Sequence, residues 1–273
     1  RLAEITAPDY AVITNVEPVH LESMLTLENI ARAKCEILPL LGEKGLALVN
    51  GDDELLLKTA REFTGRFVTF GYNRWCDLRI LETRIHGGGL KIRLRFPAEN
   101  EHEFYFPVPT VRLAGNIAAG AGLTYLMGLK PEEIQSGLSA YQPSGNRLKL
   151  IYRDKGGLFI NDTYNANPLS MTAAIETARV LAGSRRVVAV LGDMFELGPH
   201  EEEGHLSVGR AAAANKVDIL VTVGERAALI ARGAFEGGME AKRIFSFPSR
   251  DDSLPLLQEI LREEDTVLFK ASR

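Results

Sequence analysis

The densest run of groups able to do directed chemistry is Asn161-Asp162-Thr163-Tyr164-Asn165-Ala166-Asn167-Pro168-Leu169-Ser170-Met171. It follows the apolar stretch GLFI and precedes a helical pattern, so amides, a carboxylate and a phenol fill one strand-to-helix loop. Such a loop can meet the ribose or phosphates of a nucleotide. It can also be an Asn-rich turn with Ser170 in the first helical turn. The polar groups outnumber what a turn requires, which makes Asp162, Asn165 and Asn167 candidate ligand-binding residues. A second polar run, Thr14-Asn15-Val16-Glu17-Pro18-Val19-His20-Leu21-Glu22, also follows an apolar strand pattern. It therefore belongs at the carboxyl edge of a sheet, where open α/β sheets bind ligands. His20 and Glu22 could reach a divalent cation there. On spacing alone, a hydrogen-bonded loop histidine is the more economical reading.

Lys34 falls on the apolar stripe of a helical pattern, among Leu27, Ile30, Ala31, Ile37, Leu38 and Leu41. A buried amine is costly unless paired or neutralised. Reaction with carbon dioxide would turn it into a carbamate, an anionic ligand for a metal, whereas a stem that covers core and releases its head to water is the simpler reading. Arg147, in Ser144-Gly145-Asn146-Arg147, stands where a phosphate between two domains would want a cation, and is equally well a surface arginine. Gly192-Asp193-Met194-Phe195-Glu196-Leu197-Gly198 fills the slot of a dinucleotide fingerprint without the GxGxxG spacing, so it does not support a nucleotide at that loop. No GxxxxGK[ST] occurs in the chain.

The elements that must position these residues alternate. Strand patterns at 9–16 and 45–50 flank a helix over 26–41, with Thr26 as its cap. This βαβ order implies a parallel sheet. Residues 66–106 alternate apolar and polar residues and turn at Gly87–Gly89, which predicts an antiparallel meander inserted in, or laid against, that core. Helices are expected at 114–128 and 131–140, a strand pair around Gly156-Gly157 within 149–161, and a helix at 168–182. A second α/β series then runs through strands at 187–191, 217–223, 243–247 and 265–269, with helices at 200–215, 225–235 and 251–263, the pattern of a doubly wound domain. The expected domains are 1–149, like a P-loop fold without its first strand, loop and helix, and 150–273, Rossmann-like.

The 273 residues carry a formal net charge of -4, with 45% hydrophobic and 25% charged side chains. That is an ordinary globular balance. A mildly acidic chain has no cationic field for nucleic acid, although a local pocket could still bind anionic small molecules. Two cysteines, Cys35 and Cys76, make no disulfide framework, and a reducing cytoplasm is the simpler expectation. No apolar run reaches membrane-spanning length, and no leader is visible. The chain starts at Arg1 without a methionine and stops just after a strand pattern, so the native protein is expected to be longer.

With these segments in hand, the chain resembles the Mur ligase family. DTYNANPLSM at 162–171, ITNVEPVHLE at 13–22, ARAKCEI at 31–37 and VLGDMFELG at 190–198 match in order, and KASR at 270–273 is similar to the family's KGSR, with Ala271 for Gly. The family usually places a His-Asn pair just before a second Asn, at the start of an Ala-rich helix. Here Arg112-Leu113 stand in place of the pair, and Asn116 matches the second Asn. The resemblance implies an ATP-dependent, ADP-forming ligase of peptidoglycan precursor assembly that joins D-alanyl-D-alanine to UDP-N-acetylmuramoyl-tripeptide through an acyl phosphate. It implies a bacterial, cytoplasmic monomer without nucleic-acid or membrane partners. By the same resemblance, Mg2+ would be held by His20 and a carbamylated Lys34, Asn116 and Asp162 would hold adenine and ribose, and Arg147 would reach the γ-phosphate. Asn165 and Asn167 would be further site residues, and the DMFEL loop would lie near the incoming dipeptide. Other members of the family, a folylpolyglutamate synthetase relative and a non-catalytic Mur-like binding module are the rival readings.

Overall fold

The structure is a computed structural model that describes residues 4–5, 8–16, 26–142 and 145–272. It divides into two compact units, Arg1–Tyr141 and Gln142–Arg273.

The first unit is built on one six-stranded sheet in the order β1 to β6. β1 (Tyr10–Ile13), β2 (Leu46–Asn50) and β3 (Val68–Gly71) are parallel neighbours. Their inward residues are β-branched or aliphatic, and Leu48, Val49 and Phe70 are fully buried. β3 also pairs in parallel with β4 (Leu78–His86), and only β4, β5 (Gly89–Arg95) and β6 (Glu101–Phe106) are antiparallel. The expected meander therefore begins one strand later than its sequence pattern suggested. RFVTFGY is the third parallel strand, and the meander extends the same sheet. The edge of β6 is closed by Gln135, whose side chain accepts from Tyr105 N–H at 2.8 Å and donates to Tyr105 C=O at 2.9 Å. This satisfies backbone groups that an open edge would offer to another strand.

The first helix is shorter than its apolar periodicity. Thr26 caps it by accepting from Asn29 N–H, but α1 covers only Leu27–Cys35, and a 3-10 turn follows at Leu38–Leu40. Pro39 supplies no N–H and disfavours helical geometry in Leu38, so the α-helix stops before it. α2 (Glu54–Phe63) is capped by Asp53, and α3 (Ala114–Leu126) and α4 (Pro131–Ser139) complete the unit.

The second unit holds a sheet ordered β11-β10-β9-β12-β8-β7. β8 (Leu158–Asp162), β9 (Val187–Gly192), β10 (Ile219–Val223), β11 (Ile244–Phe247) and β12 (Thr266–Lys270) are parallel, and β7 (Lys149–Tyr152) is an antiparallel edge. α5 (Pro168–Ala182), α6 (Glu201–Ala214), α7 (Ala228–Glu236) and α8 (Arg250–Ile260) connect them. This is the doubly wound arrangement expected from the β-α alternation. Because β12 returns between β9 and β8, the strand order reverses at the centre, where such sheets open a crevice. Among the described residues, no helix is long and apolar enough to cross a membrane.

α6 and α7 cross with their backbones nearly touching. A Cβ on Gly209 would sit 2.0 Å from Ile230 O, and one on Gly233 2.2 Å from Leu206 O. Neither obstacle is a flexible side chain, so an added methyl forces the helices apart. Gly209→Ala or Gly233→Ala is expected to cost about 1–3 kcal/mol or more, read as a lowered midpoint in thermal unfolding, while Gly238→Ala, with open space around it but a positive φ, serves as a milder control.

Candidate active site

The loop after β8 and the end of β12 meet at the carboxyl edge of the second sheet. Register pairs Lys270 with Asp162. The Lys270 ammonium, 3% exposed, donates to Asp162 Oδ2 at 2.6 Å and to Asn165 C=O at 2.9 Å. Asp162 Oδ1 accepts from Leu148 N–H at 3.0 Å. The adjacent Arg147 lies with its guanidinium carbon 4.1 Å from the centre of the Tyr164 ring, a cation–π contact that parks an exposed cation on the same loop as the carboxylate. Asp162, Lys270, Arg147 and Tyr164 thus form one cluster, with unused lone pairs on the carboxylate.

The asparagines of this loop have structural work. Asn161 accepts from Thr163 N–H and Oγ1. Asn165 Oδ1 accepts from Ala166 N–H and Ser272 Oγ, both at 2.9 Å. Asn167 is the N-cap of α5: its side chain accepts from Ser170 N–H at 2.7 Å, and Ser170 Oγ accepts in return from Asn167 N–H. The polar density that marked the segment as a ligand loop is largely spent on holding its own backbone. Asp162, like Asn165, also draws partners from distant parts of the second unit.

Beside this cluster opens a cavity of about 450 Å³. Val190, Val223, Phe269, Leu254 and Leu257 give it apolar walls, while Thr163, Asp193, Lys270 and Ser272 supply polar atoms and Arg250 stands among the lining residues. Asp193 and Phe195, just after β9, form another wall, with the buried Met194 between them in the chain. Asp193 Oδ1 accepts from Ala227 N–H at 2.7 Å, and its C=O accepts from Ser272 N–H at 3.0 Å. A cavity of this size, mostly apolar with a few convergent polar groups, is what a small-ligand site requires. Lys270 and Ser272 were not among the candidates drawn from the sequence. The signal was present in KASR: a lysine directly after the apolar run Val267-Leu268-Phe269 must find an anion.

In the first unit, the residues after β1 form a bonded network. Lys34 Nζ donates to Asn15 C=O at 2.7 Å, Asn50 Nδ2 to Thr14 C=O at 2.7 Å, and Val16 N–H to Asp53 Oδ2 at 2.8 Å. Lys34 is half-buried rather than buried, because α1 ends at Cys35 and leaves its head at the margin of the core. The Asn15 carbonyl suits an N–H donor at that position. A carbamate would set its oxygens against that carbonyl unless a cation came between them. His20 lies outside the described residues. Among the described residues, no three His, Cys, Asp or Glu side chains converge into a metal site. Asn116 is exposed in the first turn of α3, and Arg112 and Leu113 belong to the 3-10 turn before it.

Neither cysteine offers a thiolate. Burial, then Asp53 and Glu62, pushes the Cys35 thiol up to about 11. Burial, then Asp52 and Asp77, does the same to Cys76, about 11, against weaker opposing effects of the Asn73 backbone and Arg79.

The chain belongs to the Mur ligase family: residues 1–124 match the Mur ligase middle domain, and residues 146–273 match the Mur ligase glutamate ligase domain. Its relatives include the UDP-N-acetylmuramoyl-tripeptide–D-alanyl-D-alanine ligase of Bacillus subtilis, 34% identical over 100% of this chain and 58% of that protein. Among solved structures, MurF from Acinetobacter baumannii superposes with a TM-score of 0.85 at 27% identity, over 99% of this chain and 58% of that one. The MurF ligase from Thermotoga maritima in complex with ADP gives 0.80 at 25% identity, over 100% and 60%. The chain therefore spans somewhat more than half the length of these relatives.

Gly192 sits at the floor of the cavity, where its Cβ would lie 2.7 Å from the Ala271 methyl and at an ordinary 3.5 Å from Val223 O. Gly192→Ala is expected to lose about 1–3 kcal/mol, and the double variant Gly192→Ala/Ala271→Gly to recover most of it, measured as a double-mutant cycle in denaturant. For the cysteines, raised folded-state values mean that the stability they carry is present below about pH 9 and is lost as pH rises through about 11. Unfolding midpoints across that window should fall less for Cys35→Ala than for the parent chain, and thiol reagents should label neither residue in the folded protein at neutral pH.

Proposed function

We propose that the protein is an ATP-dependent amide-bond ligase that adds D-alanyl-D-alanine to UDP-N-acetylmuramoyl-tripeptide, forming ADP and phosphate. The observation that carries this reading is the Asp162–Lys270 pair, whose lysine lines an apolar cavity, in a chain alike along its whole length to ligases of that name. The chemistry requires two steps. The tripeptide's terminal carboxylate oxygen attacks the γ-phosphorus of ATP, giving an acyl phosphate and ADP. The dipeptide's amine then attacks the acyl carbon, a proton leaves the nitrogen, and inorganic phosphate departs as the amide forms. Both steps gather anions, so fixed cations are the main catalytic need.

In this reading Asp162 accepts from the ribose hydroxyls with the lone pairs that Lys270 and Leu148 leave free, and Asn116 meets the adenine. Arg147, held ready on Tyr164, supplies a cation to the terminal phosphate. Asn165 and Asn167 act by shaping the loop that presents Asp162. The cavity between α8 and the sheet receives the acceptor dipeptide, with Asp193 facing its amine and Arg250 near its carboxylate. Magnesium, when bound, would screen the phosphates and polarise the phosphoryl group. His20 and Lys34 are the residues proposed to face it, Lys34 as a carbamate. The bacterial cytoplasm and a monomeric state belong to the same proposal.

The test is ADP release by the whole protein with UDP-N-acetylmuramoyl-tripeptide and either D-alanyl-D-alanine or a single amino acid as acceptor. Turnover with the dipeptide is expected. Turnover only with a single amino acid would move the chain to another branch of the family, and binding without turnover would make it a recognition module. Lys34→Ala is expected to lower kcat by about a hundredfold or more, the scale of removing one preorganised charge, with partial recovery in added formate or acetate. Unchanged turnover removes Lys34 from the site.

A further inference from the structure

We infer that His205 is a positioning residue that holds one wall of the acceptor cavity through a single neutral tautomer. The inference rests on the reading of that cavity given above, but its geometry stands alone. His205 lies in α6, is fully buried, and is not among the residues that line the cavity. Both ring nitrogens are engaged. Nε2 lies 3.1 Å from Met194 N, and Nδ1 lies 2.7 Å from Glu201 O. A backbone N–H can only donate and a carbonyl can only accept. The ring must therefore carry its proton on Nδ1 and keep a lone pair on Nε2. A ring protonated on Nε2, in either charge state, would set two donors against each other inside the core.

The bond to Met194 secures the middle of the 193–197 segment. Its neighbours are secured from other directions: Asp193 by Ala227 N–H and Ser272 N–H, and Phe195 by the Arg226 guanidinium, 5.0 Å from its ring centre. Arg226 also pairs at 2.8 Å with the carboxylate of Glu201, the residue whose carbonyl receives His205 Nδ1–H. Glu196 sits in the left-handed region at φ 62, so the segment is not in a conformation that it would keep unaided. The histidine cannot drift, because α6 is locked on α7 by the glycine contacts at Gly209 and Gly233. With this bond lost, Asp193 and Phe195 become free to swing away from the cavity they line.

The tautomer is tested directly by NMR of the whole protein labelled with 15N in its histidine rings. The expected spectrum at neutral pH shows one neutral ring protonated on Nδ1, assigned by its disappearance in His205→Gln. A ring protonated on Nε2, or a charged ring, overturns the inference. Its consequence is read in His205→Leu and His205→Gln. Loss of one buried hydrogen bond predicts that His205→Leu exchanges the Met194 amide at least about tenfold faster and raises the dipeptide KM about tenfold, with the ATP KM within about twofold. His205→Gln, which carries an amide acceptor and donor, should recover most of both. A folded His205→Leu with unchanged Met194 exchange overturns the inference. If the parent protein shows no ligase turnover, the reading of the cavity fails, while the ring spectrum and amide exchange still decide the role of His205.

Discussion

A buried ammonium must find an anion, and in the second unit that requirement organises the site. Lys270 ends a strand in which it follows the apolar run Val267-Leu268-Phe269, and it is almost completely removed from water. Breaking one partner of such a pair would leave an uncompensated charge in the core, which is far more costly than the pair is favourable. β12 is fixed at its other end by a second ion pair, in which Arg186 grips the buried Asp265 through both Nε and Nη2. The central strand is thus pinned at both ends, and β8 and β9, its two neighbours, are aligned by it. Asp162 can present a carboxylate at a defined place because Lys270 gives it no choice of rotamer.

Close approach does the rest of the shaping. The tail after β12 bonds through Ser272 to both the 163–167 loop and Asp193, and so ties the two loops that flank the crevice. Ala271 fits only because residue 192 has no side chain. His205, on α6, bonds Met194, while glycines let α6 and α7 touch. These contacts involve no ligand. They are the supports that a binding site needs if its polar groups are to be held within fractions of an ångström.

The first unit spends its polar residues in the same way. Thr14, Asn15 and Val16 are bound by Asn50, Lys34 and Asp53, groups from β2, α1 and the start of α2. A loop so anchored has a fixed course at the carboxyl edge of its sheet. The exposed faces of β4, β5 and β6 carry cross-strand ion pairs such as Arg93–Glu82 and Arg95–Glu101, which keep that broad surface soluble more than they stabilise it.

By itself the sequence determined the order and kind of most elements, because hydrophobic period, caps and turn residues are local, but it gave no reading of the helix Glu54–Phe63. The bounds of α5 were legible to the residue, since Asn167, Pro168 and Gly183 signal its ends. It also marked the 161–171 segment, and the resemblance to a ligase family followed from residue order alone. Tertiary structure decided what periodicity cannot carry. It placed β3 with the parallel strands, because pairing partners are set by distant residues. It left Lys34 half-buried, because a proline four residues beyond Cys35 ended the helix. It gave Asn161, Asn165 and Asn167 bonds that support the backbone, with partners one to three residues away or, for Asn165, also in the chain's last residues. And it joined Asp162 to Lys270, 108 residues apart, because only the return of β12 to the middle of the sheet brings that carboxylate and that ammonium to one edge.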